Sequence, residues 1–192
     1  LARWSNKNLG DYSNTGDRAA FFPNNETLWE SIPTTNESYG YSKVDTIRKS
    51  VPFFIRLITT AASKGGNILL NVGPMGNGKW DERDIRIFKG IGDWLKINGE
   101  AVYDTQKTSL PIPSWGVMTQ RGDTLLYAHV YDWPEDGNLI IGGLRSKIQK
   151  AWLLADKDVE IPFHRINRND YELALPVNAP DTVNTIIAMS LS

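Results

Sequence analysis

The run Ser63-Lys64-Gly65-Gly66-Asn67-Ile68-Leu69-Leu70-Asn71-Val72-Gly73-Pro74 constrains the fold of this chain more than any other stretch. Its centre, 67–72, is mostly apolar and does not alternate, which is the pattern of a short strand covered on both faces, as in a parallel sheet. Parallel strands cannot be joined by a hairpin and need a crossover, usually a helix. The flanks supply helices. Upstream, Ile47, Val51, Phe54, Ile55, Ile58, Ala61 and Ala62 recur at helical spacing and predict a helix over roughly 50–64. Pro52 is tolerated only in a first turn, and Gly65 is a natural left-handed stop. Downstream, Asp81 is placed to cap a second helix over about 81–98, with Ile85, Phe88, Ile91 and Leu95 as its stripe and Asn98-Gly99 as its end. Helix, buried strand, loop, helix is the unit of an α/β protein.

The character changes after about residue 108. Leu110-Pro111-Ile112-Pro113-Ser114 reads as a linker, and short strands separated by turn signals follow. They are predicted over 116–121, 124–132, 138–142, 148–154, 160–165, 171–175 and 184–191. Their breaks are Arg121-Gly122-Asp123, Pro134-Glu135-Asp136-Gly137 and Asn167-Arg168-Asn169-Asp170. Strands at this spacing predict an antiparallel sandwich. The fold expectation is thus α/β followed by all-β, with residues 1–108 and 109–192 as the two parts.

Residues 1–45 are polar and irregular but carry Phe21, Phe22, Trp29, Tyr39 and Tyr41, and embedded aromatics argue for an ordered, functional loop region. The chain opens on Leu-Ala-Arg-Trp-Ser without an initiator Met, so it is expected to be a piece of a longer protein. Across 192 residues the net charge is −1, which gives no footprint for nucleic acid or an anionic membrane surface. No apolar run is long enough for a transmembrane helix. With no Cys and only His129 and His164, disulfides and thiolate sites are excluded, a zinc or His-based nucleophilic site is not expected, and no cofactor or metal is required. Both histidines read as structural or surface residues.

Two stretches could carry chemistry. Gly73-Pro74-Met75-Gly76-Asn77-Gly78-Lys79 meets the glycine and lysine spacing of a phosphate-binding loop, but Trp80 stands where Ser or Thr should hold Mg²⁺. The carboxylate of Asp81 would also repel phosphate, so a plain strand-to-helix turn is the better reading; nucleotide binding through Lys79 is the weakest alternative. The other stretch is Leu28-Trp29-Glu30-Ser31-Ile32-Pro33-Thr34-Thr35-Asn36-Glu37-Ser38-Tyr39-Gly40-Tyr41. A carboxylic acid beside apolar walls is what glycoside cleavage needs, because its raised pKa lets it protonate a leaving oxygen. Physics alone does not separate Glu30 from Glu26 and Glu37. The triplets Asn25-Glu26-Thr27 and Asn36-Glu37-Ser38 are formal glycosylation sequons.

Trp29-Glu30, the following Asn36–Tyr41 segment and the Ser63–Pro74 run together resemble the α-L-fucosidases of glycoside hydrolase family 29. The helix end Trp94-Leu95-Lys96-Ile97-Asn98-Gly99-Glu100-Ala101-Val102-Tyr103 is similar to that family too. The resemblance implies a retaining hydrolase of terminal α-L-fucose, with a (β/α)₈-like catalytic barrel and a C-terminal β-sandwich. It implies an Asp nucleophile and a Glu acid/base, the latter matched by Glu30. Arg18, twelve positions before Glu30, is similar in placement to an arginine that contacts fucose in some members; Trp29 and Tyr39 are expected near the sugar. Tyr39 stands where the family usually has Trp.

The family's nucleophile and its sugar-binding His and Trp residues lie upstream of this chain, and Asp11 and Asp17 are too close to Glu30 to replace that nucleophile. The expected partners are therefore a fucosylated glycan and the missing N-terminal part of the catalytic domain. The 192-residue chain alone is expected to be inactive and prone to insolubility through exposed strand edges. The family implies an extracellular, periplasmic or lysosomal location. The main alternative is non-catalytic: a carbohydrate-binding sandwich using Trp115, Trp133 and Trp152.

Overall fold

A computed structural model describes residues 11–17 and 28–192. The chain divides into two compact units, Leu1–Leu95 and Lys96–Ser192, with the division in the last turn of a helix.

In the first unit the described residues form a parallel sheet of β1 (Ser13–Asp17), β2 (Trp29–Ile32) and β3 (Gly66–Ile68), in that order. Helix α1 (Val51–Ser63) makes the crossover from β2 to β3, and α2 (Glu82–Asn98) follows. Ser50 caps α1, its hydroxyl accepting the Phe53 amide at 3.2 Å, and Pro52 sits in the first turn, where it disrupts no helical bond. Phe54, Leu57, Ile87 and Ile91 form a core cluster of this unit, with Ile68 and Leu70 packed against them.

Two expectations need correction here. The buried positions of α2 are Asp84, Ile87, Ile91, Trp94 and Asn98, whereas Ile85 is 40% exposed. The helix is turned from the orientation its most apolar stripe suggested, because the ion pair made by Asp84 is tucked inward. Similarly, the stretch 67–72 is not covered on both faces. Only Gly66–Ile68 forms a strand, Ile68 and Leu70 face the helices, and Leu69 on the other face is 53% exposed. Beyond β3 the parallel pairing continues through the amides of Leu69 and Asn71, which donate to the carbonyls of Ser31 and Pro33. The segment 75–79 closes a turn before α2, with the Met75 amide on the Lys79 carbonyl at 2.8 Å.

The second unit begins with the end of α2 and a 3₁₀ turn (Gly99–Ala101). A six-stranded antiparallel sheet follows: β4 (Gln106–Lys107), β5 (Gly116–Arg121), β6 (Leu125–Val130), β12 (Thr185–Leu191), β8 (Ile148–Leu153) and β9 (Asp156–Glu160), in that spatial order. A three-stranded sheet holds β10 (Phe163–Arg165), β11 (Tyr171–Ala174) and β7 (Asn138–Ile141). Both sheets contribute to one core, which includes Leu126, Ala128 and Ile187 from the first and Leu139, Ile141 and Leu173 from the second. That is the arrangement of a sandwich. The sequence Asp156-Lys157-Asp158-Val159-Glu160 was not expected to be a strand. It forms the charged edge strand β9, where charges discourage pairing with other chains.

Inside the six-stranded sheet, His129 is fully buried on β6. The Asn184 side-chain amide lies 3.3 Å from Nδ1, Nε2 lies 3.0 Å from the Thr119 hydroxyl, and that hydroxyl donates to the Ala101 carbonyl at 2.8 Å. Because Thr119 gives its only proton to Ala101, it can only accept from the ring, so the imidazole is neutral with its proton on Nε2. Burial pushes the pKa of His129 down to about 3, opposed in part by the Ala101 backbone. This histidine is structural, as the sequence suggested.

Candidate active site

Strand register assigns Glu30 its face. Trp29 pairs with Gly66 and Ser31 with Ile68, on the side where Ile68 meets the helices. Glu30 pairs with Asn14 on β1 and with Asn67 on β3. Successive side chains alternate along a strand, so Asn14, Glu30 and Asn67 make a polar row on the face turned away from α1 and α2. Asn67 is exposed there and Glu30 is half-buried.

Trp29 points the opposite way. It is 1% exposed, its indole N–H donates to the Lys64 carbonyl at 3.3 Å, and its ring lies against Gly66, where a Cβ would fall 2.1 Å from the ring. A ring enclosed this tightly has no open face for a sugar. The expected contact role is therefore corrected to one of positioning: Trp29 fixes β2 against the start of β3, and so fixes the backbone that carries Glu30.

At the C-terminal ends of β2 and β3 the chain turns into a loop over 33–41. Thr34 bridges to Asn71 across the strands. The Asn71 amide nitrogen donates to the Thr34 hydroxyl at 3.1 Å and to the Tyr39 carbonyl at 2.7 Å. Thr34 in turn donates to Asn36 Oδ1 at 2.9 Å, and Asn36 Nδ2 donates to the Gly40 carbonyl at 2.8 Å. Thr34 and Asn36 are 1% and 2% exposed, so this is a buried, satisfied polar knot that holds one loop conformation. It forces Tyr39 to a φ of +67°, a left-handed conformation that costs a non-glycine residue energy and persists only where the surroundings impose it. Tyr39 is half-buried at the tip of this loop. With its amide nitrogen engaged and almost no exposure, Asn36 is not a usable glycan acceptor; Asn25 lies outside the described residues.

Glycine at 73 is dictated by the same loop. A Cβ there would stand 2.2 Å from the Tyr41 amide nitrogen and 2.3 Å from the Gly40 carbonyl carbon. Both are backbone atoms, so the loop itself would have to move. Gly73→Ala is expected to destabilise the chain by about 2 kcal/mol or more and to lower kcat/KM in the complete protein. Thermal unfolding and steady-state kinetics check this; wild-type values in both would show that the loop is not held against residue 73.

The far side of the loop is tied down by charge. Asp45 accepts the amides of Glu37, Ser38 and Ile47 and the Ser38 hydroxyl, and that hydroxyl is the leading reason its carboxyl is held below the usual range. Arg48 forms a two-pronged pair with Asp84 of α2, at 2.7 and 3.3 Å, with side chains only 8% and 2% exposed. This fork joins the loop region to the helix layer. Glu37 is exposed and pairs with Lys49 at 2.8 Å, so the structure separates it from Glu30: one is a surface ion pair and the other sits in the polar row of the sheet. Arg18 and Glu26 lie outside the described residues. Asn71, Thr34 and Arg48 were not singled out from the sequence, and Asn36 only as a sequon and the start of a family-like segment; the one available signal for this knot was an Asn interrupting the apolar run 67–72.

The α-L-fucosidase family model matches residues 2–100, more than half of the chain. The chain belongs to the α-L-fucosidase family. Among relatives, an α-L-fucosidase of Dictyostelium discoideum is 31% identical over 142 residues, covering 69% of this chain and 31% of that protein. The human plasma α-L-fucosidase is 30% identical over 125 residues, or 59% of this chain and 26% of the relative. In three dimensions the chain resembles α-L-fucosidase isoenzyme 1 from Paenibacillus thiaminolyticus, with a TM-score of 0.85, 30% identity and coverage of 95% of this chain and 45% of that one. A family 29 α-L-fucosidase from Bacteroides thetaiotaomicron gives a TM-score of 0.85 at 25% identity. The chain thus spans about a third of the length of the curated family members it matches.

Proposed function

We propose that this chain is the C-terminal part of a retaining α-L-fucosidase, in which residues 1–108 complete a (β/α)₈-like barrel and 109–192 form its sandwich domain. Glu30 is the general acid/base. The nucleophile is an Asp in the preceding part of the catalytic domain, which is this chain's partner together with the fucosylated glycan. Arg18 and Tyr39 contact the sugar, and the protein works outside the cytoplasm, in an extracellular, periplasmic or lysosomal setting.

The observation that carries this reading is the polar row bearing Glu30 on the face of a parallel sheet turned away from α1 and α2, beside a loop locked at the strands' C-terminal ends. In (β/α)₈ barrels the loops at that end carry the chemistry. The mechanism follows from two carboxyl groups about 5–5.5 Å apart. Glu30, protonated, gives its proton to the glycosidic oxygen as the Asp attacks the anomeric carbon and the aglycone leaves. As a carboxylate it then takes a proton from water, whose oxygen displaces the Asp and restores the original configuration. Relatives support the covalent step: one Bacteroides thetaiotaomicron structure is of a trapped covalent intermediate with 2-fluoro-fucosyl fluoride in a Glu-to-Gln mutant.

The test uses the complete protein with an aryl α-L-fucoside, following the first-formed sugar by proton NMR. The α-anomer is expected first, and 2-fluoro-fucosyl fluoride should leave one fucosyl group on the protein by mass spectrometry. First appearance of the β-anomer would mean inversion and would remove the covalent step. No release of fucose would remove the activity altogether.

A further inference from the structure

The sandwich unit carries an open groove of about 610 Å³ lined by the segment entering β5 and the turn between β6 and β7. Trp115 and Trp133 line it together with Asp132, Asp136 and Asn138. We propose that this groove binds a neutral oligosaccharide, with pyranose rings laid on the two indoles and their hydroxyls bonded to Asp132, Asp136 and Asn138.

Both rings are pinned. The indole N–H of Trp115 donates to the Ile140 carbonyl at 3.0 Å, and that of Trp133 to the Pro176 carbonyl at 2.9 Å. Each indole has a single polar atom, and the protein already satisfies it, so what remains for a ligand is aromatic surface. Such surface matches the C–H face of a pyranose. The walls are fixed as well. The amides of Tyr131 and Asp132 both donate to the Trp115 carbonyl, at 2.9 and 3.1 Å, which locks the first acid beside the first ring. The Gly137 amide closes the turn on the Pro134 carbonyl, and the Gly137 carbonyl accepts the Leu175 amide at 2.7 Å. A groove built before its ligand arrives loses less entropy on binding.

Charge then selects among sugars. Among the described residues the lining holds two carboxylates and no Lys, Arg or His. Carboxylates accept hydrogen bonds from hydroxyls and repel sulfate, phosphate and sialic acid groups. Asp132, Asp136 and Asn138 are all exposed and so reachable by a ligand. Trp152 takes no part: it does not line this groove, and among the described residues its indole nitrogen is enclosed without a partner. The sandwich alternative raised from the sequence is thus narrowed to two of its three tryptophans. It does not rest on the Glu30 reading, because every lining residue belongs to the second unit.

The test is a titration of the ¹⁵N-labelled full chain with 2′-fucosyllactose, lactose and sialyllactose, following the tryptophan side-chain N–H signals. Saturable shifts of Trp115 and Trp133 are expected with 2′-fucosyllactose or lactose, and weaker binding with sialyllactose. Trp115→Ala and Trp133→Ala should each weaken binding by about tenfold or more. Should either alanine variant fail to fold, Asp132→Ala and Asp136→Ala replace exposed side chains and should still weaken binding severalfold. The proposal is overturned by an absence of saturable shifts up to about 20 mM sugar, by affinity unchanged in the aspartate variants, or by sialyllactose binding as well as lactose.

Discussion

Replacing Glu30 with Gln in the complete protein is expected to lower kcat on a substrate with a poor leaving group by about 10²–10⁴-fold. The amide keeps the shape of the acid but has no proton to give to the glycosidic oxygen. On an aryl fucoside with an acidic phenol the first step needs little protonation, so fucosylation should be nearly spared and the fucosyl-enzyme should accumulate. Azide, which needs no general base, should then restore turnover and give fucosyl azide of retained configuration. This pattern separates an acid/base from a residue that merely holds the sheet together, because a damaged sheet would slow all substrates alike and azide would not help. Unchanged hydrolysis of the poor-leaving-group substrate would remove Glu30 from the mechanism. Glu37→Gln, which alters an exposed ion pair with Lys49, should cost little by comparison.

The second large effect concerns acid. His129 has an ordinary pKa near 6.5 in the unfolded chain and about 3 when folded, chiefly because burial disfavours its charged form. Between those two values the unfolded state binds more protons, so the stability that the neutral histidine supports is complete above pH 6.5. It falls progressively as the pH drops toward 3. The full span corresponds to a loss on the order of 4 kcal/mol, and at pH 5 to about 2 kcal/mol. Denaturant unfolding of the full chain at several pH values between 4 and 7.5 measures this. His129→Gln cannot titrate, so its stability should be lower at neutral pH but fall less steeply on acidification. Equal slopes in the two proteins would show that His129 is not the proton acceptor. If the protein works in an acidic compartment, this histidine works against it, and the surrounding core must supply the margin.

Much of the architecture could be read from the chain because its period and punctuation are strong. Ser50, Pro52 and Gly65 bracket α1, and the turn signals between 121 and 170 separate antiparallel strands that lie largely where the sequence predicted them. What escaped has physical causes. The orientation of α2 depends on Asp84 meeting Arg48 across 36 positions, and no local pattern reports such a pair. The charged edge β9 lacks the apolar alternation that marks a strand with a buried face. At the candidate site, Glu30 was legible only through its resemblance to a family, since its neighbours Glu26 and Glu37 look the same in composition. The structure separates Glu30 from Glu37 alone, since Glu37 is an exposed ion pair with Lys49 and Glu30 pairs with Asn14 and Asn67 within the sheet. The knot of Thr34, Asn36 and Asn71 escaped because its members come from two strands and a loop.

The bonds around the neutral His129 run one way, from Asn184 through the ring and Thr119 to the carbonyl of Ala101. The ring and Thr119 each both receive and pass on, so neither can change chemistry without reversing or breaking the next link. For a lineage of sequences this makes positions 119, 129 and 184 a single inherited character. Thr119→Ser preserves it, whereas Thr119→Val breaks two links at once. A double change at 119 and 129 should cost much less than the sum of the single changes. Related sequences should therefore keep the three together or exchange them together for an apolar set.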